Sequence, residues 1–300
     1  MPALSSSLPG EAIAAYPPWI PGWVWLIGPY LLVLIGVLVL PLANVAAISV
    51  FTHDPRAFWS ARLTGANYAR LLDPYYVQVL VRTLRIGLIT TVACAALGFP
   101  VAYWLARCSR RVVTIGLFLI VMPMMVSTVI RSFGWMVLLG RTGVINVASE
   151  ALGLGRWLTI MNTEAAVVIA LVQICLPLLV LPTMAAIEKV PVSLEEAASN
   201  LGAGAITVFR RVLIPLAAPG LASGALLVFV VAISVVVTPA LMGGRSNRML
   251  GNEIYDQVIT AMNWPFASAM AIVLIAVVLA LLGLSLAAGR ALARRSVRGA

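Results

Sequence analysis

The sequence predicts an all-α polytopic membrane protein with six transmembrane helices, and three observations carry that reading. Of 300 residues, 62% are apolar and only 10% charged, whereas an ordinary soluble domain carries about 25% charged residues. Mean hydropathy is +1.05. The apolar residues gather in runs close to the roughly 20 residues that a helix needs to cross a hydrocarbon core.

Residues 1–22 read as an N-terminal tail. They contain no Lys or Arg and are broken by prolines at 2, 9, 17, 18 and 21, so the basic start of a secretory signal peptide is not expected. The membrane domain then covers 23–289, with spans expected at 24–51, 85–106, 112–130, 165–187, 221–242 and 265–289. Prolines 29, 41, 100, 123, 177, 182 and 239 fall inside them. Such prolines kink bundled membrane helices without breaking them, because neighbours re-satisfy the freed backbone groups. An even number of spans puts both termini on one side. The dense basic stretches "RCSRR" and "RALARRSVRGA" lie close to helix ends, which by the positive-inside rule predicts cytoplasmic N and C termini. Residues 290–300 are then a basic cytoplasmic tail.

The same residues exclude several function classes. The net charge of +10 is scattered between apolar runs, which suits lipid headgroups and loops, and no nucleic acid is expected. Cys94, Cys108 and Cys175 have no metal-type spacing and read as packing residues. His53 is the only histidine and reads as a loop residue, so neither a metal site nor a catalytic group is expected. None of the six expected spans carries an ionisable residue in its central turns. Ion-coupled carriers generally depend on such groups. A phosphate-cradling G-x-x-x-x-G-K-[ST] loop needs a lysine, and the only one, Lys189, sits in "AIEKVP". Any driving energy is expected from another chain.

Residues 190–220, "VPVSLEEAASNLGAGAITVFRRVLIPLAAPG", stand out as a polar loop between two spans. Pro191 is expected to stop the fourth span. Ser193 and Glu196 have the S-x-x-E spacing of a capping box and predict a short helix from Leu194. Gly202 and Gly204 should end it. Thr207 is expected to cap a second helix, "VFRRVL", closed by Pro215 and Pro219. The small face of Ala197, Ala198 and Gly202 admits a partner surface, and Leu194, Leu201 and Phe209 are candidate knobs for it. Glu195 and Glu196 sit where the helix dipole favours negative charge.

This stretch resembles the EAA loop of membrane subunits of binding-protein-dependent ABC importers. Glu196-Ala197-Ala198, Gly202 and Pro215 match at the family's spacing, and Asn200 stands where many relatives have aspartate. The resemblance implies the type I ABC importer permease fold, with a cytoplasmic coupling helix on which Glu195, Glu196, Ala197, Ala198, Leu201, Gly202 and Pro215 meet an ATPase. It implies a bacterial inner-membrane location and four partners: a second permease subunit, two cytoplasmic ATPase subunits and a periplasmic solute-binding protein. The chain itself would hold no cofactor, with ATP and Mg bound by the ATPases.

"IRSFGWMVLLGRTGVIN", "TPALMGGRSNRMLGNEIYDQ" and "NWPFASAMA" further resemble the first membrane subunit of spermidine/putrescine importers. A cationic amine is attracted to aromatic faces, so Trp135, Thr238, Tyr255, Asp256, Asn263 and Trp264 are the candidate pathway residues. Two uses compete for them: Trp and Tyr anchor helices at membrane interfaces, and polar groups such as Thr238 bond between helices. Two other functions stay open from the residues, a carrier or channel independent of ATP, and a purely structural membrane protein. Gly220 and Gly224 have G-x-x-x-G spacing and predict a close helix crossing.

Overall fold

A computed structural model describes residues 22–155 and 160–298, with side chains over 27–155 and 160–283. The expected tail at 1–22 lies almost wholly outside them. Helix α1 is Gly22–Ser49. A hairpin of β1 (Phe51–Thr52) and β2 (Ser60–Leu63) follows, then α2, Ala66–Leu71. Asn67 on α2 donates to Ser49 O (2.8 Å) and Phe51 O (2.9 Å), which pins this connection to the end of α1. Helix α3, Pro74–Arg107, starts eleven residues before the expected span. Its early turns are too polar for a hydropathy run, but Asp73 caps them through Tyr75 N (2.9 Å) and Pro74 sits at the first helical position.

The expected span 112–130 is not one helix. Helix α4, Arg110–Val121, and a tight turn at Met122–Met125 lead to α5, Thr128–Leu139, with a bend of 98°. Val126 and Ser127 cause it, both extended at ψ 136° and 137°. Helix α6, Val144–Ala151, precedes α7, Glu164–Glu188, which matches its expected span to a residue at each end.

The loop helix α8 is Val192–Asn200. It begins two residues earlier than expected, after Pro191, and no side chain caps it, so the Ser193–Glu196 capping box is not formed. Beyond it, α9 (Ala205–Val208), a π-turn at Phe209–Leu213 and α10 (Ile214–Ser234) run on as one span of 30 residues. Pro215 and Pro219 therefore do not close a separate helix. Pro215 lacks the N–H that the i−4 carbonyl needs, and a π-turn just before it absorbs that loss. The span breaks instead at Val235, and α11, Val237–Met242, follows. Helix α12 is Leu250–Ile259, and α13, Trp264–Arg298, continues through the stretch expected as a basic tail.

The protein is thus mostly helical, with five helices long and apolar enough to cross a membrane, or six if the bent pair that starts with α4 and α5 counts as one span. Helices α3, α7 and α10 form the centre, packed through Ile86, Cys94, Leu171, Cys175, Leu179 and Val228. Cys94 and Cys175 are free and buried there, in the packing role expected of them. Close approach of α10 to α7 holds this centre together. A Cβ built on Gly220 would lie 2.5 Å from Pro182 O and 2.3 Å from Ala186 Cβ, so only glycine fits. Lipid is as apolar as the helix faces, and contact of this kind replaces the hydrophobic effect as the source of helix association.

Candidate functional site

The first candidate site lies where α7 ends at Glu188. Helix α8 stops in a Schellman arrangement: Ala203 N donates to Ala198 O (3.1 Å) and Gly202 N to Ser199 O (2.9 Å), with Gly202 at φ +84°. That left-handed conformation is glycine's, and it turns the chain sharply back toward α9. Glu196, Ala197 and Pro215 are exposed and Ala198 is half-buried. Leu201 is 89% exposed at the tip, an apolar side chain presented to solvent beyond the bundle. Leu194 lines a groove of about 530 Å³ with Lys189, Pro191, Leu216 and Pro219. Phe209, expected as a docking knob, turns inward and packs edge-on against Phe99 (4.9 Å) and Tyr103 (6.1 Å).

The two neighbouring glutamates separate. Glu196 faces solvent, whereas Glu195 turns into the bundle. Glu195 Oε2 accepts from Tyr103 Oη at 2.9 Å and Oε1 from Arg107 Nε at 2.9 Å. Arg107 Nη2 also reaches Glu195 and donates to Val190 O at 3.0 Å. Side-chain exposures of 20% for Arg107 and 13% for Glu195 make this a largely desolvated, charge-assisted pair, with Nε and Nη2 of Arg107 converging on Oε1. Tyr103 and Arg107 are four apart and so share one face of α3. The loop helix is thereby bolted to α3. Sequence reasoning missed both partners, although their i, i+4 spacing was a usable signal.

The pathway candidates fall into separate places. Trp135 and Thr238 share the interior where α5 meets α7 and α11: Trp135 Nε1 donates to Gln173 Oε1 (2.8 Å), and buried Thr238 lies 3.3 Å from Ser132 Oγ. The other four lie at the end of the bundle remote from α8. Asp256 is salt-bridged to Arg248, which also reaches Glu253 at 3.3 Å, and Glu253 accepts from Tyr75 Oη (2.9 Å). Burial alone would lower the Arg248 pKa, but the Asp256 hydrogen bond and the charges of Glu253 and Asp256 outweigh it and raise it. Asn263 caps α13 by accepting from Phe266 N (3.2 Å). Trp264 stacks on Phe58 with ring centroids 5.3 Å apart, so one of its faces is taken. Tyr255 is exposed. Asp256 and Asn263 thus have structural partners of their own, and the six do not converge on one pocket.

One group escaped the sequence reading by a single position. The expected third span ended at Ile130, but Arg131 lies in the first turn of α5, within the bent helix pair.

A model of the "binding-protein-dependent transport system inner membrane component" family matches residues 84–298. The chain belongs to that family. Its curated relatives include the spermidine/putrescine transport system permease protein PotB of Escherichia coli, 37% identical over 236 residues, 78% of this chain and 86% of that protein. Among solved structures, a bacterial ABC transporter involved in import of the acidic polysaccharide alginate matches with TM-score 0.72 over 89% of this chain and 96% of that one, at 15% identity. A second, the alginate transporter in complex with an alginate pentasaccharide-bound periplasmic protein, matches with TM-score 0.70 over 88% and 93%, again at 15% identity. At that identity they show the fold alone, the importer-permease fold. As a member of this family the chain is a multi-pass inner-membrane permease subunit of an ABC importer, with several apolar helices to match.

Proposed function

We propose that this permease subunit carries polyamines of the spermidine/putrescine type, delivered by a periplasmic binding protein, and that α8 couples the movement to ATP hydrolysis in partner subunits. The solute assignment is supported by the relatives named for spermidine and putrescine, which match 78% of this chain. The coupling role is carried by one observation: α8 presents Leu201 outward while Glu195 ties the same helix rigidly to Arg107 and Tyr103 of α3.

In this reading both termini are cytoplasmic and α8 stands on the cytoplasmic face. Glu196, Ala197, Ala198, Leu201 and Gly202 meet the ATPase, and Pro215 sets the entry to α10. Nucleotide-driven closure of two ATPase subunits displaces α8, and the Glu195–Arg107 link passes the displacement to α3 and so to the α3–α7–α10 centre. Metal and nucleotide belong to those partners, and the chain has no catalytic residue. A second permease subunit completes the pathway.

The test is uptake of radiolabelled putrescine by proteoliposomes containing the four-part complex, ATP inside and binding protein outside. Glu196→Lys combined with Gly202→Asp is expected to abolish ATPase co-purification and uptake. Unchanged values for both would remove the coupling role. Concentrative uptake by this chain alone would instead favour an ATP-independent carrier.

A further inference from the structure

We infer that the groove between α3, α10 and α13 is a binding site for one anionic phospholipid, with its phosphate at Arg85 and an acyl chain laid along α10. The leaflet is the one remote from α8.

Helices α3 and α10 pack closely, while α13 stands off from both, and the space left between them measures about 1030 Å³. Its walls are hydrocarbon, with Leu84 and Leu88 of α3, Leu226 and Phe229 of α10 and Val278 of α13. The two hydroxyls there already donate within their own helices, Thr91 Oγ1 to Gly87 O (2.8 Å) and Ser223 Oγ to Gly220 O (2.9 Å). A polar occupant would give up its hydration for little in return, whereas an acyl chain gives up nothing. Arg85 is the one charged residue among the described lining.

That arginine stands at headgroup level. Helix α7 has 25 residues, about 37 Å of helix against a hydrocarbon core of about 30 Å, so its first residue, Glu164, lies at the core's edge. Glu164 holds both Arg82 and Arg85. One carboxylate facing two guanidiniums leaves a positive charge over, and the side-chain exposures of 17% for Arg82 and 57% for Arg85 put that surplus on the open side, at Arg85. Only its Nη2 is engaged, on Glu164, out of the five N–H donors of a guanidinium. The free edge of such a fork suits a phosphate.

Depth and charge together select the occupant. Gly87, two residues on from Arg85, lies against Phe229, whose ring would sit 3.2 Å from a Cβ built there. From Phe229 the α10 wall runs ten residues to Pro219, about 15 Å, or half the hydrocarbon core. Pro219 and Ser223 divide it from the groove beside α8. The groove below Arg85 therefore has the depth of one leaflet. A membrane helix of another subunit crosses the whole core, and a cationic amine is repelled by the rim. One phosphate with a chain beneath it matches both the charge and the depth.

The experiment purifies the chain with its partner subunits from mixed phosphatidylglycerol and phosphatidylethanolamine bilayers and counts the lipids retained by native mass spectrometry. Arg85→Gln is expected to lower retained phosphatidylglycerol about fivefold, the scale of one arginine at an anionic membrane surface, with phosphatidylethanolamine unchanged, and Arg85→Lys to keep most of it. Leu226→Trp, which fills the groove and leaves the Arg85–Glu164 pair in place, is expected to lower it as well. A p-benzoylphenylalanine placed at Leu226 should photo-crosslink to phosphatidylglycerol. Wild-type phosphatidylglycerol retention in Arg85→Gln overturns the site, and so does equal loss of both lipids in that variant. A photo-adduct with the second permease subunit overturns it too, by making the groove a subunit interface. If Arg85→Gln yields no folded complex, Leu226→Trp decides, and unchanged phosphatidylglycerol retention there rejects the site.

Discussion

Arg107 and Arg131 sit in the same bundle, on helices of similar apolar character, and meet opposite fates. Arg107 spends its donors on Glu195 and Val190 O, with Tyr103 completing the carboxylate. Arg131 has one hydroxyl contact and two buried, idle nitrogens. The α3–α8 junction has its hydrogen bonds completed within a single chain. The α5 region leaves a guanidinium without a carboxylate among the described residues. Removing a group from a completed pair strands its partner, whereas removing an orphan relieves a cost.

That difference can be broken by substitutions read on the isolated chain in detergent, taken here from the largest expected effect to the smallest. Glu195→Ala strands the Arg107 guanidinium. Loss of one partner of a buried pair costs about 3–5 kcal/mol, and the partial exposure of this pair brings the expectation to about 2–3 kcal/mol, seen as a lower unfolding midpoint. Arg131→Met should move the midpoint the other way, stabilising by about 1–3 kcal/mol, because a buried unsatisfied donor is removed. Equal signs for these two variants would erase the contrast.

Gly220→Ala tests the α7–α10 crossing on which both regions rest. Its Cβ meets the Pro182 carbonyl, and overpacking of this sort costs about 1–3 kcal/mol; a midpoint within error of wild type would show that the helices part freely. Gly202→Ala forces alanine into a left-handed conformation at φ +84° for about 1 kcal/mol, and should be felt as weaker ATPase association in the complex. Leu201→Ala is the smallest in stability, within about 0.5 kcal/mol because the side chain is exposed, yet it should uncouple hydrolysis from uptake. A Leu201→Ala complex with wild-type uptake would leave Glu195 as the only supported part of the coupling loop.

Much of this was legible in the sequence because it is local. Runs of apolar residues placed α1, α7 and the start of α13 closely, since one crossing needs one stretch of chain. Gly202 could be read as a helix stop because only its own backbone conformation is at issue, and Gly220 with Gly224 announced a close crossing by their spacing. The misses share another cause. The bend at Val126–Ser127 and the continuous helix through Pro215 depend on whether neighbouring helices absorb a broken hydrogen bond, which composition does not reveal. Ser193 and Glu196 had the spacing of a cap, but Pro191 already starts the helix two residues sooner.

The sequence by itself determined that this chain lives in a bilayer, about where it crosses, and that a short helix lies in the loop between two crossings. These follow from hydropathy and backbone preference, which act over a few residues. Tertiary structure alone decided that Glu195 and not Glu196 grips the bundle, through partners 88 and 92 positions away, and that Arg131 meets only a hydroxyl of its own helix. A charge declares its sign in the sequence, but its partner is chosen by which helices meet, and that is settled only when the chain is folded.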